Sequence, residues 1–436
     1  MNSSTRRWDA CGVALTAQDA EAVQALERVV VGLTSHRADT TQHLDAVLAR
    51  DPDLLLAHVI RGFGLKLLGR NDLAARALAS SEHALRSWSQ RGGSDRERSL
   101  TEALHAWCAG DPIASLRGLE DALAENPLDR LAVKLSHSMY FYLGMRREMR
   151  ESLERVLPAW QSARTPGLGR VLGCYAFALT ENGDCERGEG IGREALALGE
   201  IDPWGMHATL HAIHARERTE EALAWLREME SQLEGANNFR GHVYWHRAVL
   251  LTLLDRWDEA LALYDTEIAI YPAHDYRDLV NEVTLLHRCI REGIDVGARA
   301  ERCAATAMLR LGDHGSAFAD VHHVLSLSLN QERAQAAAFI DSMRDRAKDP
   351  QGIADQVLAE VAVPIAEATL LIETHPARAH RAFESLRAVL VRMGGSRAQH
   401  AVFALLESDA LRAIQHDENP LIKTPATHVP TEFTPS

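Results

Sequence analysis

The chain has 436 residues, with 61 acidic side chains against 47 Lys plus Arg, a net charge of −14, and 46% hydrophobic and 25% charged residues. Those fractions are ordinary for a globular protein and exclude wholesale disorder. The acidic excess repels phosphate backbones and anionic lipid, so neither nucleic acid nor a membrane is an expected partner, and no apolar run approaches the ~20 residues that span a bilayer.

From the N-terminal end, the stretch Met1 to Asp9 leads into no apolar signal core. Six scattered cysteines (Cys11, Cys108, Cys174, Cys185, Cys289 and Cys303) form no C-x-x-C. They read as free thiols of a reducing compartment, so a cytoplasmic location is expected. Apolar residues recur at three- and four-residue steps almost throughout, as in Asp258 to Tyr264, and period-two runs are nearly absent, so strands are not expected. Glycine after an apolar run, with a polar residue following, punctuates the pattern at Gly69, Gly110, Gly144 and Gly183. A left-handed glycine ends one helix and the following Asp or Asn starts the next.

Those glycines are 41, 34 and 39 residues apart, close to the tetratricopeptide unit of about 34 residues. The segment from Gly241 to Pro272 fits that unit, with Ala260 in the small-residue slot, Tyr264 in the aromatic slot and Pro272 as terminal proline. Asn126-Pro127 and Asp202-Pro203 close other units. The expected fold is all-α: a tetratricopeptide-like α-solenoid of antiparallel helix pairs. It forms a single helical-repeat domain over 1–415, followed by a Pro-rich, disordered tail over 416–436.

Between Asp202 and His322 the polar residues become informative. Asp202 as N-cap and Pro203 open a helix carrying His207, His211 and His214, which share one face. The next first helix carries His242 and His246, and each pair member is offset by 35 residues from its counterpart. First helices line the concave face of a tetratricopeptide solenoid, and stacked neighbours lie roughly 8–10 Å apart, so the four imidazoles are expected to converge. Paired imidazoles supply a general acid and a general base near neutrality. Asp265 and Asp320 with His322 are further candidates, although an Asp two residues from a His shares no helical face. Ser396, in Gly394-Gly395-Ser396, is a good N-cap and a candidate anion holder. Two histidines at i, i+4 can also chelate an ion, but position 208 is Ala where the H-E-x-x-H motif has glutamate. No metal or other cofactor is therefore expected, with zinc or another divalent ion as the lesser alternative. The glycines around Gly190 and Gly167 follow no strand, and no G-x-S-x-G elbow is present.

Together with this order of repeats, Tyr175 to Leu179, Asp202 to Ala208, His242 to His246, Tyr264-Asp265 and Gly394 to Gln399 resemble the tetratricopeptide repeat protein 38 family, bacterial relatives included, over roughly residues 15–415. The resemblance implies an α-solenoid with an unusual polar set: His207, His211, His242, His246, Asp265, Asp320, His322, and Ser396 with Gln399. Four positions depart from the family pattern: His214 in place of an acid, His287 in place of Trp, and His400-Ala401 in place of Arg-Asp.

Peptide-clamping repeats present Lys, Arg and Asn, whereas the corresponding face here offers His, Trp and Tyr. A compact pocket with a few titratable groups follows. The catalytic candidates are His207, His211, His242, His246, Asp265 and His322. Those for binding are Tyr175, Trp204, His214, Trp245, Asp320, Ser396 and Gln399. The expected function is a small-molecule pocket performing hydrolysis or elimination by His/Asp acid–base chemistry. The alternative is a scaffold for a protein or peptide partner, and a homodimer is a further option.

Overall fold

The computed structural model describes residues 5–271, 275–350 and 352–418. The protein is an all-α helical repeat with very little sheet. First helices of successive antiparallel pairs begin at Ala20, Leu55, Asp95, Arg130, Leu168, Pro203, Phe239, Tyr276 and Ala317, at steps of 35 to 41 residues. No described helix is long and apolar enough to cross a membrane. All six cysteines are free thiols.

The turn within several of these pairs is set by one backbone bond. Asp111 N donates to Ala106 O (2.9 Å), Met145 N to Tyr140 O (2.9 Å), Asp184 N to Leu179 O (3.0 Å) and Arg256 N to Leu251 O (3.0 Å). Each spans five residues and closes over a left-handed residue, the geometry of the Schellman cap. Gly110, Gly144 and Gly183 fill that position at φ of 90°, 69° and 87°. Asp255 and Gln331 do so without being glycine, at φ of 55° and 58°.

Cα packing groups the chain into two compact units, Met1–Leu68 with Asp72–Phe239, and Gly69–Asn71 with Arg240–Ser436. In the first unit, the buried Arg96 guanidinium donates to both oxygens of buried Asp129 (2.6 and 2.8 Å). Asp129 also accepts from Ala132 N at 3.1 Å and so caps helix Arg130–Tyr142. One ion pair thereby fixes where two helices meet. In the second unit, Asp409 accepts from His287 Nε2 (2.9 Å) and Arg291 Nε (2.6 Å), joining helices Tyr276–Arg291 and Arg397–Glu418. Ala260 and Tyr264 are fully buried, as the repeat template requires, while Pro272 lies outside the described residues.

Two expectations are corrected. An antiparallel hairpin, β1 (Thr5–Trp8) with β2 (Ala14–Ala17), precedes the helices. Its turn is held by Asp9 Oδ1, which accepts from Cys11 N and Val13 N (2.9 Å each). Glu97 docks β2 by accepting from Thr16 N (2.8 Å) and Thr16 Oγ1 (2.9 Å). Four-residue strands contain too few periods to register as alternation. At the other end, helix Arg397–Glu418 runs past 415, where the tail was expected to begin. Residues 419–436, the bulk of that expected tail, lie outside the described residues.

Exposed Gln331 supplies a testable consequence. A non-glycine residue in the left-handed region costs about 1–2 kcal/mol, and the extra unfolded-state freedom of glycine returns part of that. Gln331→Gly should therefore stabilise the protein by between about 0.5 and 1 kcal/mol in denaturant melts. Destabilisation would show that the side chain, and not the turn, governs this position.

Candidate functional site

Helix Pro203–His214 positions the first group of candidates, and every one of its residues is buried. A helix enclosed on all sides has no wet face, so its polar side chains must find partners inside the protein. His207 and His211 are each 2% exposed. Their Nε2 atoms lie 2.9 Å apart. Behind them, Glu181 Oε1 stands 3.5 Å from His211 Nδ1, an ion-pair distance and not a formed hydrogen bond, and Arg146 Nε is 3.3 Å from Glu181 Oε2. A single proton must lie between the two Nε2 atoms if they are to bond directly. With His211 Nδ1–H facing Glu181, His211 Nε2 accepts and His207 Nε2 donates.

Around this pair the first unit assembles an aromatic wall. The Trp204 ring stands 4.8 Å from Phe177, 5.2 Å from His207, 5.5 Å from His137 and 5.6 Å from Phe239, centroid to centroid. Lys134 Nζ sits 4.8 Å over the Trp204 ring and 3.2 Å from His36 Nε2. With Lys134 charged, that nitrogen of His36 must be the acceptor. Neither ring nitrogen of buried His137 has a hydrogen-bond partner among the described residues. Burial, and secondarily the Lys134 charge, holds its pKa well below the ordinary histidine value. His214 ends the helix, 4% exposed. Asp202 takes the N-cap position without a side-chain capping bond. Its Oδ2 is cradled by Gly173 and Gly205, where a Cβ would approach to 2.5 and 2.3 Å. Burial raises its carboxyl pKa to about 6.

Helix Phe239–Thr252, which belongs to the second unit from Arg240 onward, carries the other pair. His242 Nδ1 donates to Asn281 Oδ1 (2.9 Å), and the Nε2 atoms of His242 and His246 are 3.3 Å apart. Trp245 stacks on His242 at 5.3 Å and donates its indole N–H to Thr284 Oγ1 at 3.0 Å. On helix Ala317–Leu329, His322 Nδ1 donates to Phe318 O (2.7 Å). That bond fixes the tautomer and leaves Nε2 as a buried acceptor with no partner among the described residues. Burial lowers the His322 pKa to about 4. Asp320 faces not His322 but His314 Nδ1 (3.3 Å) and His323 Nδ1 (3.9 Å), as the two-residue spacing implied.

Other candidates have identifiable structural partners. The Tyr175 hydroxyl donates to Glu154 (3.1 Å) and accepts from Arg187 (2.6 Å). Asp265, 45% exposed, pairs with Arg299. Ser396 and Gln399 form a reciprocal cap: Ser396 N donates to Gln399 Oε1 (3.0 Å) and Gln399 N to Ser396 Oγ (3.2 Å). Glu181, Lys134, His137 and His36 in the first unit, and Asn281 in the second, were not singled out from sequence. The available signal was a charged or imidazole side chain inside an otherwise apolar first helix, as in Arg130–Tyr142.

Asp202 gives a pH prediction. Its folded pKa of about 6 exceeds the unfolded value, so between pH ~4 and ~6 the folded state binds more protons. The stability this group contributes is fully present below pH ~4 and is lost by pH ~6, on the order of 3 kcal/mol. His322, with a depressed pKa, acts in the opposite direction over an overlapping window. Asp202→Asn isolates the first effect. Wild-type minus variant stability, from urea melts, should fall as pH rises from 4 to 7, and a pH-independent difference would contradict the assignment.

No protein-family profile matches the chain. A solved structure of Naa15/Naa10 bound to HypK-THB aligns with 92% of this chain and 64% of that chain, at 15% identity and a TM-score of 0.26. The chain thus spans less than two thirds of the length of that neighbour.

Proposed function

We propose that the protein is a helical-repeat member of the tetratricopeptide repeat protein 38 group that binds a small molecule and acts on it by histidine acid–base chemistry, through hydrolysis or elimination. The observation that carries this reading is the line Glu181, His211, His207 in the first unit, with separations of 3.5 and 2.9 Å. A carboxylate behind one imidazole fixes its tautomer, and that imidazole then exchanges a proton with the next. Trp204, Phe177 and Phe239 supply apolar walls, and the unpartnered nitrogens of His137 supply polar positions a ligand would satisfy. His242, His246 and His322 in the second unit are the further acid–base candidates. The family membership rests on the matching segments, and a cytoplasmic location rests on six free thiols.

Melting experiments on histidine variants do not separate catalysis from packing here. Side chains 1–2% exposed, such as His246 and His207, are expected to cost about 1–3 kcal/mol when truncated, whichever role they have. Turnover separates the two. Activated esters serve as the probe, and Glu181→Gln and His211→Ala are compared with wild type at temperatures where all three stay folded. Proton-relay chemistry predicts a loss of about 10²–10⁴ in rate for His211→Ala. Equal rates in wild type and both variants would overturn the reading and favour the scaffold, in which the protein binds a protein or peptide partner.

A further inference from the structure

The two i, i+4 histidine pairs repeat the same arrangement independently, one in each unit. Two nitrogens each about 2.05 Å from one ion stand about 2.9 Å apart at a right angle and about 3.3 Å apart at the tetrahedral angle. The Nε2 separations are 2.9 Å for His207 and His211 and 3.3 Å for His242 and His246. In each pair, one imidazole has its other nitrogen directed at an acceptor on a different helix. Glu181 Oε1 on helix Leu168–Glu181 lies 3.5 Å from His211 Nδ1. Asn281 Oδ1 on helix Tyr276–Arg291 accepts from His242 Nδ1 at 2.9 Å. Metal-ligating histidines characteristically use such a partner, which fixes the tautomer and keeps Nε2 as the coordinating lone pair.

Burial adds to the argument. His207, His211 and His246 are each no more than 2% exposed, so an ion held between them would be shielded from bulk water. A pair of imidazoles converging at ligand spacing within a protein interior suits a borderline-soft divalent cation. The sequence lacked the glutamate of H-E-x-x-H, but that residue is the general base of one protease class and not a ligand. Its absence therefore concerns the reaction and not the binding of an ion.

We propose that His207 with His211, and His242 with His246, are ligands for a divalent transition metal such as zinc, with Glu181 and Asn281 orienting the coordinating imidazoles. This rests on the small-molecule site of the proposed function, but a bound ion would displace the proton shared by His207 and His211 and become the reactive group in its place. A bound ion supplies Lewis acidity and lowers the pKa of a coordinated water.

Chelator-stripped full-length protein titrated with Co²⁺ and Zn²⁺ tests this, with calorimetry and Co²⁺ ligand-field absorption as readouts. The expected result is saturable binding that weakens at least tenfold in the double variant His207→Ala/His211→Ala and likewise in His242→Ala/His246→Ala. Because truncation inside the core can unfold the chain, Glu181→Gln and Asn281→Ala are the gentler variants. Each should weaken binding about 10–100-fold with the helical circular dichroism retained. Zinc should also raise the melting temperature of wild type, and a chelator should reverse the rise. No saturable binding by the wild-type protein overturns the proposal, and so does binding of equal strength in wild type and all variants. Because no readout uses turnover, ester hydrolysis that depends on His211 without metal binding would leave the acid–base reading standing and remove this one.

Discussion

The backbone bond that closes these helix pairs is the constraint on which the rest depends. An amide reaching back five residues, over one residue in the left-handed region, reverses the chain within three or four residues. Once the reversal is fixed, the second helix of a pair must lie against the first, and the apolar stripes of both have only one way to be buried. Glycine provides the left-handed residue at most of these turns. Where Asp255 and Gln331 stand instead, tertiary packing has imposed a conformation that the local residue disfavours. Such positions show that the turn is dictated by the pair and not by the residue occupying it.

With the helices held in this way, first helices become enclosed, and enclosure sets the chemistry of the polar residues they carry. Helix Pro203–His214 has no exposed residue, yet it carries three histidines. Each buried imidazole loses hydration worth several kcal/mol unless a partner replaces it. The protein meets this in different ways. His322 donates to a carbonyl one turn back on its own helix. His242 reaches an amide on another helix, and His211 is backed by a carboxylate. His137 has neither, and burial lowers its pKa accordingly.

Asp202 belongs to the same economy. Its carboxyl lies against Gly173 and Gly205, close enough that any side chain at either position would collide with it. Two glycines on different helices thus exist to let one carboxylate be buried at the start of the helix that carries the histidines. The raised pKa follows from that enclosure, and it couples the seating of this helix to pH between about 4 and 6.

Much of this was legible in the sequence. Period, turn glycines, the Asp202-Pro203 helix start, the His207–His211 and His242–His246 pairs and the Ser396 N-cap all depend on local spacing, which a helix translates directly into geometry. The short hairpin escaped because four residues hold too few periods, and its anchor, Glu97, is 81 residues from Thr16. The partners of the histidines escaped for the same reason. Glu181 lies 30 residues before His211, and Asn281 lies 39 after His242. The sequence by itself determined which helices form and which face carries the imidazoles, because those follow from steps of three and four residues. Only the tertiary structure decided which carboxylate or amide stands behind each ring, and that these rings are buried, because both depend on how separate helices pack.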